Sequence, residues 1–171
     1  GIHSVTRVID CSAVMTEDQY AAEPDQFFLG VSGTAYASTH ELWFQNFYSY
    51  NFLGTLGGAN KMTFDGCTFR NCDQFRVAAG QTMTIRNCTR TWELSGDMEE
   101  IRIGKDATLN LERYSSVGDT ENNSVIRGVS GEDGSWTVNA AHISCPDGHS
   151  FKTDDSSGGS WDVTDTAVTV A

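Results

Sequence analysis

Asp65, Arg86 and Glu112 lie 21 and 26 residues apart. Each is the fourth residue of a stretch that alternates apolar and polar residues: Met62-Thr-Phe-Asp65, Met83-Thr-Ile-Arg86 and Leu109-Asn-Leu-Glu112. If these stretches run side by side as strands, the three charges form one outward-facing column. At ordinary strand spacing the two carboxylates are then about 9.6 Å apart, near the upper end for inverting glycoside hydrolysis. The arginine between them could serve as a base or a clamp beside a bound Ca²⁺. The plainer reading is an Asp–Arg–Glu ion ladder on a solvated face. One acidic residue per stretch is sparse for a calcium cluster.

The other reactive side chains form no recognisable constellation. Cys11, Cys67, Cys72, Cys88 and Cys145 lack the paired spacing of a zinc site. No disulfide framework of a small secreted domain is evident, so a reducing compartment, a virion and an extracellular setting all remain open. Cys67 and Cys88 share one offset in their stretches and would stack as small apolar groups, close enough for a disulfide but not requiring one. The four histidines, His3, His40, His142 and His149, are scattered and recruit no thiol. A Gly-rich phosphate loop, His-Glu-x-x-His and Gly-x-Ser-x-Gly are all missing. No cofactor and no metal site is expected.

Composition narrows the partners. Eleven basic against 23 acidic residues give a net charge of −12, which disfavours phosphate-driven nucleic-acid binding. No window approaches the roughly 20 apolar residues of a membrane span. The acidic excess is spread along the chain and reads as a solubility device. With 39% hydrophobic residues the chain is too apolar for a disordered tail.

The stretches that carry the charges belong to an internal repeat. Leu42-Trp-Phe-Gln-Asn-Phe47, Met62-Thr-Phe-Asp-Gly-Cys67, Met83-Thr-Ile-Arg-Asn-Cys88, Leu109-Asn-Leu-Glu-Arg-Tyr114, Trp136-Thr-Val-Asn-Ala-Ala141 and Trp161-Asp-Val-Thr-Asp-Thr166 share one frame. Their starts are separated by 20, 21, 26, 27 and 25 residues. Residues one and three are apolar, and two and four mostly polar, which is the alternation of a strand with one buried face. A second short strand precedes each copy. Leu56, Val77 and Ile103 lie six residues before the next start and Val129 seven; Phe75, Ile101 and Val125 strengthen the pattern.

This period, with no helical pattern, predicts an all-β chain: a right-handed parallel β-helix (β-solenoid) of about six coils. A leucine-rich repeat would need a leucine consensus, and a propeller blade about twice the length. The expected interior columns are Phe44, Phe64, Ile85, Leu111, Val138, Val163; then Leu42, Met62, Met83, Leu109, Trp136, Trp161; then Phe47, Cys67, Cys88, Tyr114, Ala141, Thr166. Phe69, Ile143 and Val168 share one further position, which Ser49, Arg90 and Ser116 interrupt. Outside run Gln45, Asp65, Arg86, Glu112, Asn139, Thr164 and a threonine-rich stripe, Trp43, Thr63, Thr84, Asn110, Thr137, Asp162, explained by β propensity. Residues 1–39 read as an N-terminal strand and capping segment, with a short helix or excursion over Met15 to Asp25. Residues 40–171 carry the coils. Val168 to Ala171 form a strand without a successor in the sequence, an edge that a symmetric partner could cover.

The segments Met62-Thr-Phe-Asp-Gly-Cys-Thr-Phe-Arg-Asn-Cys72 and Met83-Thr-Ile-Arg-Asn-Cys-Thr89 resemble the coils of the pectate-lyase-like superfamily of right-handed parallel β-helices. The likeness covers residues from about 40 to 171. It implies the fold, and a group that includes polysaccharide lyases and hydrolases, bacteriophage tailspikes and small trimeric virion proteins. Those enzymes carry long loops and an acidic cluster, whereas this chain has short loops. The expected function is therefore a non-catalytic structural virion protein, a bacteriophage capsid decoration (cement) protein or short spike or fibre domain, acting as a homotrimer. Its partners would be the major capsid protein or other virion proteins, and its place the virion surface or otherwise an extracellular site. Trp43, Tyr48, Tyr50 and Phe52 are the candidate interface, unless that run packs the core of one coil. The alternative is a carbohydrate-active enzyme or glycan-binding domain of a tailspike, with Asp65, Arg86 and Glu112 at its site beside Trp43.

Overall fold

The computed structural model describes residues 4–15, 29–30, 39–51, 56–57, 59–72, 75–93, 101–118, 124–128, 135–145, 150–152, 160–164 and 168–170. Among these every regular element is a strand. The chain opens with β1 (Ser4–Ile9) and β2 (Ser12–Val14). Each later pass begins with a short strand and continues into a longer stretch: β3 (Leu29–Gly30) before β4 (His40–Gln45) and β5 (Tyr48–Tyr50); β6 (Leu56–Gly57) before β7 (Lys61–Asp65) and β8 (Thr68–Arg70); β9 (Phe75–Val77) before β10 (Thr82–Trp92); β11 (Ile101–Ile103) before β12 (Thr108–Gly118); β13 (Ser124–Gly128) before β14 (Ser135–Cys145); and β15 (Ser150–Lys152) before β16 (Ser160–Thr164) and β17 (Val168–Val170).

The strands form two sheets, and all the pairings are parallel. One has the order β1-β4-β7-β10-β12-β14-β16, with β2, β5 and β8 alongside the second half of β10 and β17 on the second half of β14. The other has the order β3-β6-β9-β11-β13-β15. Each strand thus pairs with its counterpart one repeat away. The β1 pairing, Val8 opposite Phe44, makes the N-terminal strand the next layer of the same sheet. The proposed helix or excursion over Met15 to Asp25 lies outside the described residues beyond Met15.

Period-two alternation decides what is buried. In β7, Met62 and Phe64 are buried while Lys61 is exposed and Thr63 and Asp65 are half-buried. Leu42 pairs with Met62, Met62 with Met83, and Met83 with Leu109; Phe44, Phe64, Ile85 and Leu111 follow the same register. The rings of Phe44 and Phe64 stack at 5.1 Å and 12°. Phe69 and Phe75 meet Phe64 edge-on at 5.5 and 5.3 Å. Like side chains therefore touch like side chains along the stacking direction.

The register departs from the repeat frame in the next layer. Leu109 faces Val138 instead of Trp136, Leu111 faces Ala140 instead of Val138, and Tyr114 faces Ile143 instead of Ala141. Trp136–Trp161 and Val138–Val163 pair as the frame predicts. The shift is two residues, so inward residues stay inward. It brings the buried Ala107 and Trp136 level, and the Thr137 N–H donates to the Ala107 carbonyl at 3.0 Å. In this register Trp136 stands opposite Ala107 and not Leu109. In the second sheet Leu56 faces Phe75 and not Val77, and the buried Ile126 faces Ile101 in place of the expected Val125; Val129 lies outside the described residues. In the further column Phe69 faces Ser49 and Arg90, Arg90 faces Ser116, and Ile143 faces Val168, as the frame predicts; the shift moves Ile143 from Ser116 to Tyr114.

The corner between the two halves of each long pass has a common conformation. Asp10, Asn46, Gly66, Asn87, Arg113 and His142 each follow a residue of one register column and have φ of 52°, 51°, 66°, 54°, 50° and 58°. The backbone N–H groups of Asp10, Asn46 and Gly66 donate to the carbonyls of Gln45, Asp65 and Arg86 at 3.0, 2.9 and 3.1 Å, so the ladder continues through the bend. Asparagine and glycine tolerate this left-handed region best. At position 66 an added Cβ would also lie 2.7 Å from Asn46 Oδ1.

Phe64 is fully buried between its own counterparts, so Phe64→Ala should cost about 3–5 kcal/mol. Chemical denaturation of the two proteins, read as a midpoint shift at unchanged slope, measures that loss.

Candidate functional site

The outward column that carries the candidate charges runs Ile9, Gln45, Asp65, Arg86, Glu112, Ala141. Ala141 replaces the expected Asn139 because of the two-residue shift. Strand alternation turns these side chains away from the core, and the corner residues behind them face the same side.

Asp65 is the hub of this column. Its Oδ2 accepts from Arg86 Nη2 at 2.9 Å and its Oδ1 from Asn87 Nδ2 at 2.8 Å. Asn87 Oδ1 in turn accepts from Arg113 Nε at 2.6 Å. Arg113 also pairs with Glu112. Burial alone would raise the Asp65 carboxyl, but the bonds from Asn87 and Arg86 and the positive charges of Arg86 and Arg113 outweigh it and hold the group below its ordinary value. The structure thus brings Asp65 and Arg86 together, while Glu112 turns to its own neighbour. Asp65 is kept ionised, which suits a clamp or a base and not a proton donor.

Next to this column runs a second outward one, Arg7, Trp43, Thr63, Thr84, Asn110 and Asn139, with Thr164 next in register. Asn139 takes the place expected for Thr137. Asn139 Nδ2 donates to Asn110 Oδ1 at 2.8 Å, and Asn110 Nδ2 to Thr84 Oγ1 at 3.3 Å. Between the two columns lies a shallow cleft of about 260 Å³, with Thr84, Asn110 and Asn139 on one wall and Arg86 and Glu112 on the other. It opens where the large Glu112 is followed by Ala141. The buried Nε of Arg86 makes no hydrogen bond among the described residues.

The aromatic interface candidates divide at the Asn46 corner. Trp43 is half-buried on the first face, with the Arg7 guanidinium 5.8 Å from its ring centre. Tyr48 is 37% exposed on the second face. Tyr50 is half-buried there, under Arg70 at 5.0 Å. Phe52 lies outside the described residues. Phe44 and Phe47 from the same run are core residues. Trp43 and the tyrosines therefore do not form one stripe.

Several polar features are not evident from the repeat frame. Both ring nitrogens of His40 meet hydroxyls of β1, Ser4 Oγ at 2.6 Å and Thr6 Oγ1 at 3.0 Å. Arg90, 1% exposed, donates to the Cys72 carbonyl at 3.1 Å and lies 5.6 Å over the Trp92 ring. Asn71 donates to Asn51 at 3.1 Å and accepts from the Glu93 N–H at 2.9 Å. The interruption of the Phe69 column by Ser49, Arg90 and Ser116 was the available signal for this interior polar patch. Among the described residues no group of three or more His, Cys, Asp or Glu is placed to hold a metal ion. Compared with known protein families, curated proteins and solved structures, the chain matches none.

The lowered Asp65 carboxyl sets a sign for acid sensitivity. Its contribution to stability is complete above the unfolded-state value of about 3.9 and is lost as pH falls through the lower folded value. The melting temperature of the native chain should fall more steeply below pH 4 than that of Asp65→Asn, whose curve lacks this contribution. Parallel curves for the two would remove Asp65 as the hub.

Proposed function

We propose that the two parallel sheets are walls of a right-handed parallel β-helix of about six coils. Its role on this reading is a non-catalytic structural component of a bacteriophage particle, either a capsid decoration protein or a short spike or fibre domain, working as a homotrimer. The observation that supports it is the use of the charged column. Asp65, Arg86, Asn87, Glu112 and Arg113 bind one another, which braces adjacent repeats and holds the Asp65 carboxyl ionised. A rod of parallel strands stacked through backbone hydrogen bonds resists forced unfolding, because every layer is held by its neighbours. Exposed apolar residues, Val5, Ile9 and Val14 in the outermost layer and Tyr48 in the next, supply surface that association would cover. In a particle the chain would lie on the capsid or tail surface, against the major capsid protein or another virion protein.

The mass in solution tests this reading. Light scattering coupled to size exclusion should give three times the 18.6 kDa chain mass at micromolar concentration. A stable monomer that also fails to bind purified capsids would overturn it.

The cleft supports a second reading, glycan recognition. Its amide and hydroxyl wall repeats at about 4.8 Å, it faces Arg86, and Trp43 continues the same column. If this is the site, Arg86→Ala should weaken binding to a responsive polysaccharide at least tenfold, with Thr137→Ala as a control outside the cleft. Calorimetry against a panel of bacterial surface polysaccharides checks this, and equal affinities for the two variants would exclude the cleft.

A further inference from the structure

Two of the buried thiols stand on neighbouring layers in one column. Asp65 pairs with Arg86 and Thr68 with Thr89, which sets Cys67 directly opposite Cys88 across one step of the parallel ladder. Both are 1% exposed. The Cys67 N–H donates to Cys88 Sγ at 3.4 Å, so the Cys88 sulfur lies over the Cys67 backbone. The spacing between hydrogen-bonded strands, about 4.8 Å, falls inside the Cα window of about 4.4–6.8 Å that a disulfide spans. The other thiols are placed differently. Cys11 is exposed at the outer layer, with the Phe47 position between it and Cys67, and Cys72 donates to Ser49 Oγ at 3.1 Å.

We infer that Cys67 and Cys88 are a cross-repeat dithiol that a small peroxide oxidant closes into a disulfide, tying two adjacent layers together covalently. The interior position selects a small oxidant, hydrogen peroxide, over a bulky disulfide donor. One thiolate of the pair takes one oxygen from peroxide, giving a sulfenic acid, and the hydroxide released takes up the thiol proton to become water. The other sulfur then displaces the sulfenic hydroxyl, which leaves as a second water with that thiol's proton. Two thiols and one peroxide become one disulfide and two waters. The bond closes a loop of 21 residues and constrains the unfolded chain.

The inference is independent of which functional reading holds. Its test uses the full chain with Cys11→Ser, which removes the exposed thiol. Peroxide titration should remove two hydrogens from the intact mass, and a non-reducing peptide map should link the Cys67 and Cys88 peptides. The melting temperature should rise by several degrees and return on reduction. Cys88→Ala should abolish both the cross-link and the rise. Addition of oxygen atoms without that link, or a link through Cys72 or Cys145, would overturn the inference. Should Cys88→Ala fail to fold, the peptide map of the parent protein decides alone.

Discussion

The constraint on which everything else depends is that each layer hydrogen-bonds to the next in register and continues to do so around a corner. A strand that bends would normally drop its ladder at the bend. Here the N–H groups at the corner still reach the carbonyls of the following layer, because the residue at that corner adopts a left-handed conformation. Once the backbone repeats in this way, side chains at equivalent positions must lie one above another. The aromatic stack of Phe44 on Phe64, the methionine pair Met62 and Met83, and the thiol pair Cys67 and Cys88 are consequences of that single geometric rule.

The same rule organises the polar groups. Outward side chains from successive layers are brought within hydrogen-bonding reach, so residues more than 20 positions apart in sequence become neighbours. Asp65 receives Arg86 and Asn87 from the next pass, Asn87 receives Arg113 from the one after, and Thr84, Asn110 and Asn139 form a chain of amides and a hydroxyl. Surface ion pairs of this kind are individually weak. A ladder of them orders several side chains together and selects one register over a slip by one residue, which would bury the charges. The charged column thus links side chains of successive layers into one hydrogen-bonded series.

Variation enters where the repeat is imperfect. The two-residue offset between the Leu109 and Val138 layers keeps inside and outside unchanged while admitting Trp136 opposite Ala107. It also puts Ala141 after Glu112 and so opens the cleft on the outer face. The polar interior around Arg90, Asn71 and Cys72 is a second irregularity, with the guanidinium held by a carbonyl and an aromatic face instead of an apolar neighbour. Departures from the repeat are thus the places where this molecule differs from a uniform stack.

Alternation of apolar and polar residues at a recurring frame was enough to read an all-strand chain, the burial of Leu42, Phe44, Met62, Phe64, Met83, Ile85, Leu109 and Leu111, and their order along the stack. That information is local, since period-two patterning specifies a face whatever the partner is. Alternation could not specify the register between the Leu109 and Trp136 stretches, because a slip of two residues leaves every face unchanged. Nor could it give the left-handed corner at Arg113 and His142, residue types that do not advertise it, or the turn of Glu112 toward Arg113 and away from Arg86. Which side chains meet across layers depends on volumes and hydrogen-bond distances summed over neighbouring passes, and those exist only once the chain has stacked upon itself.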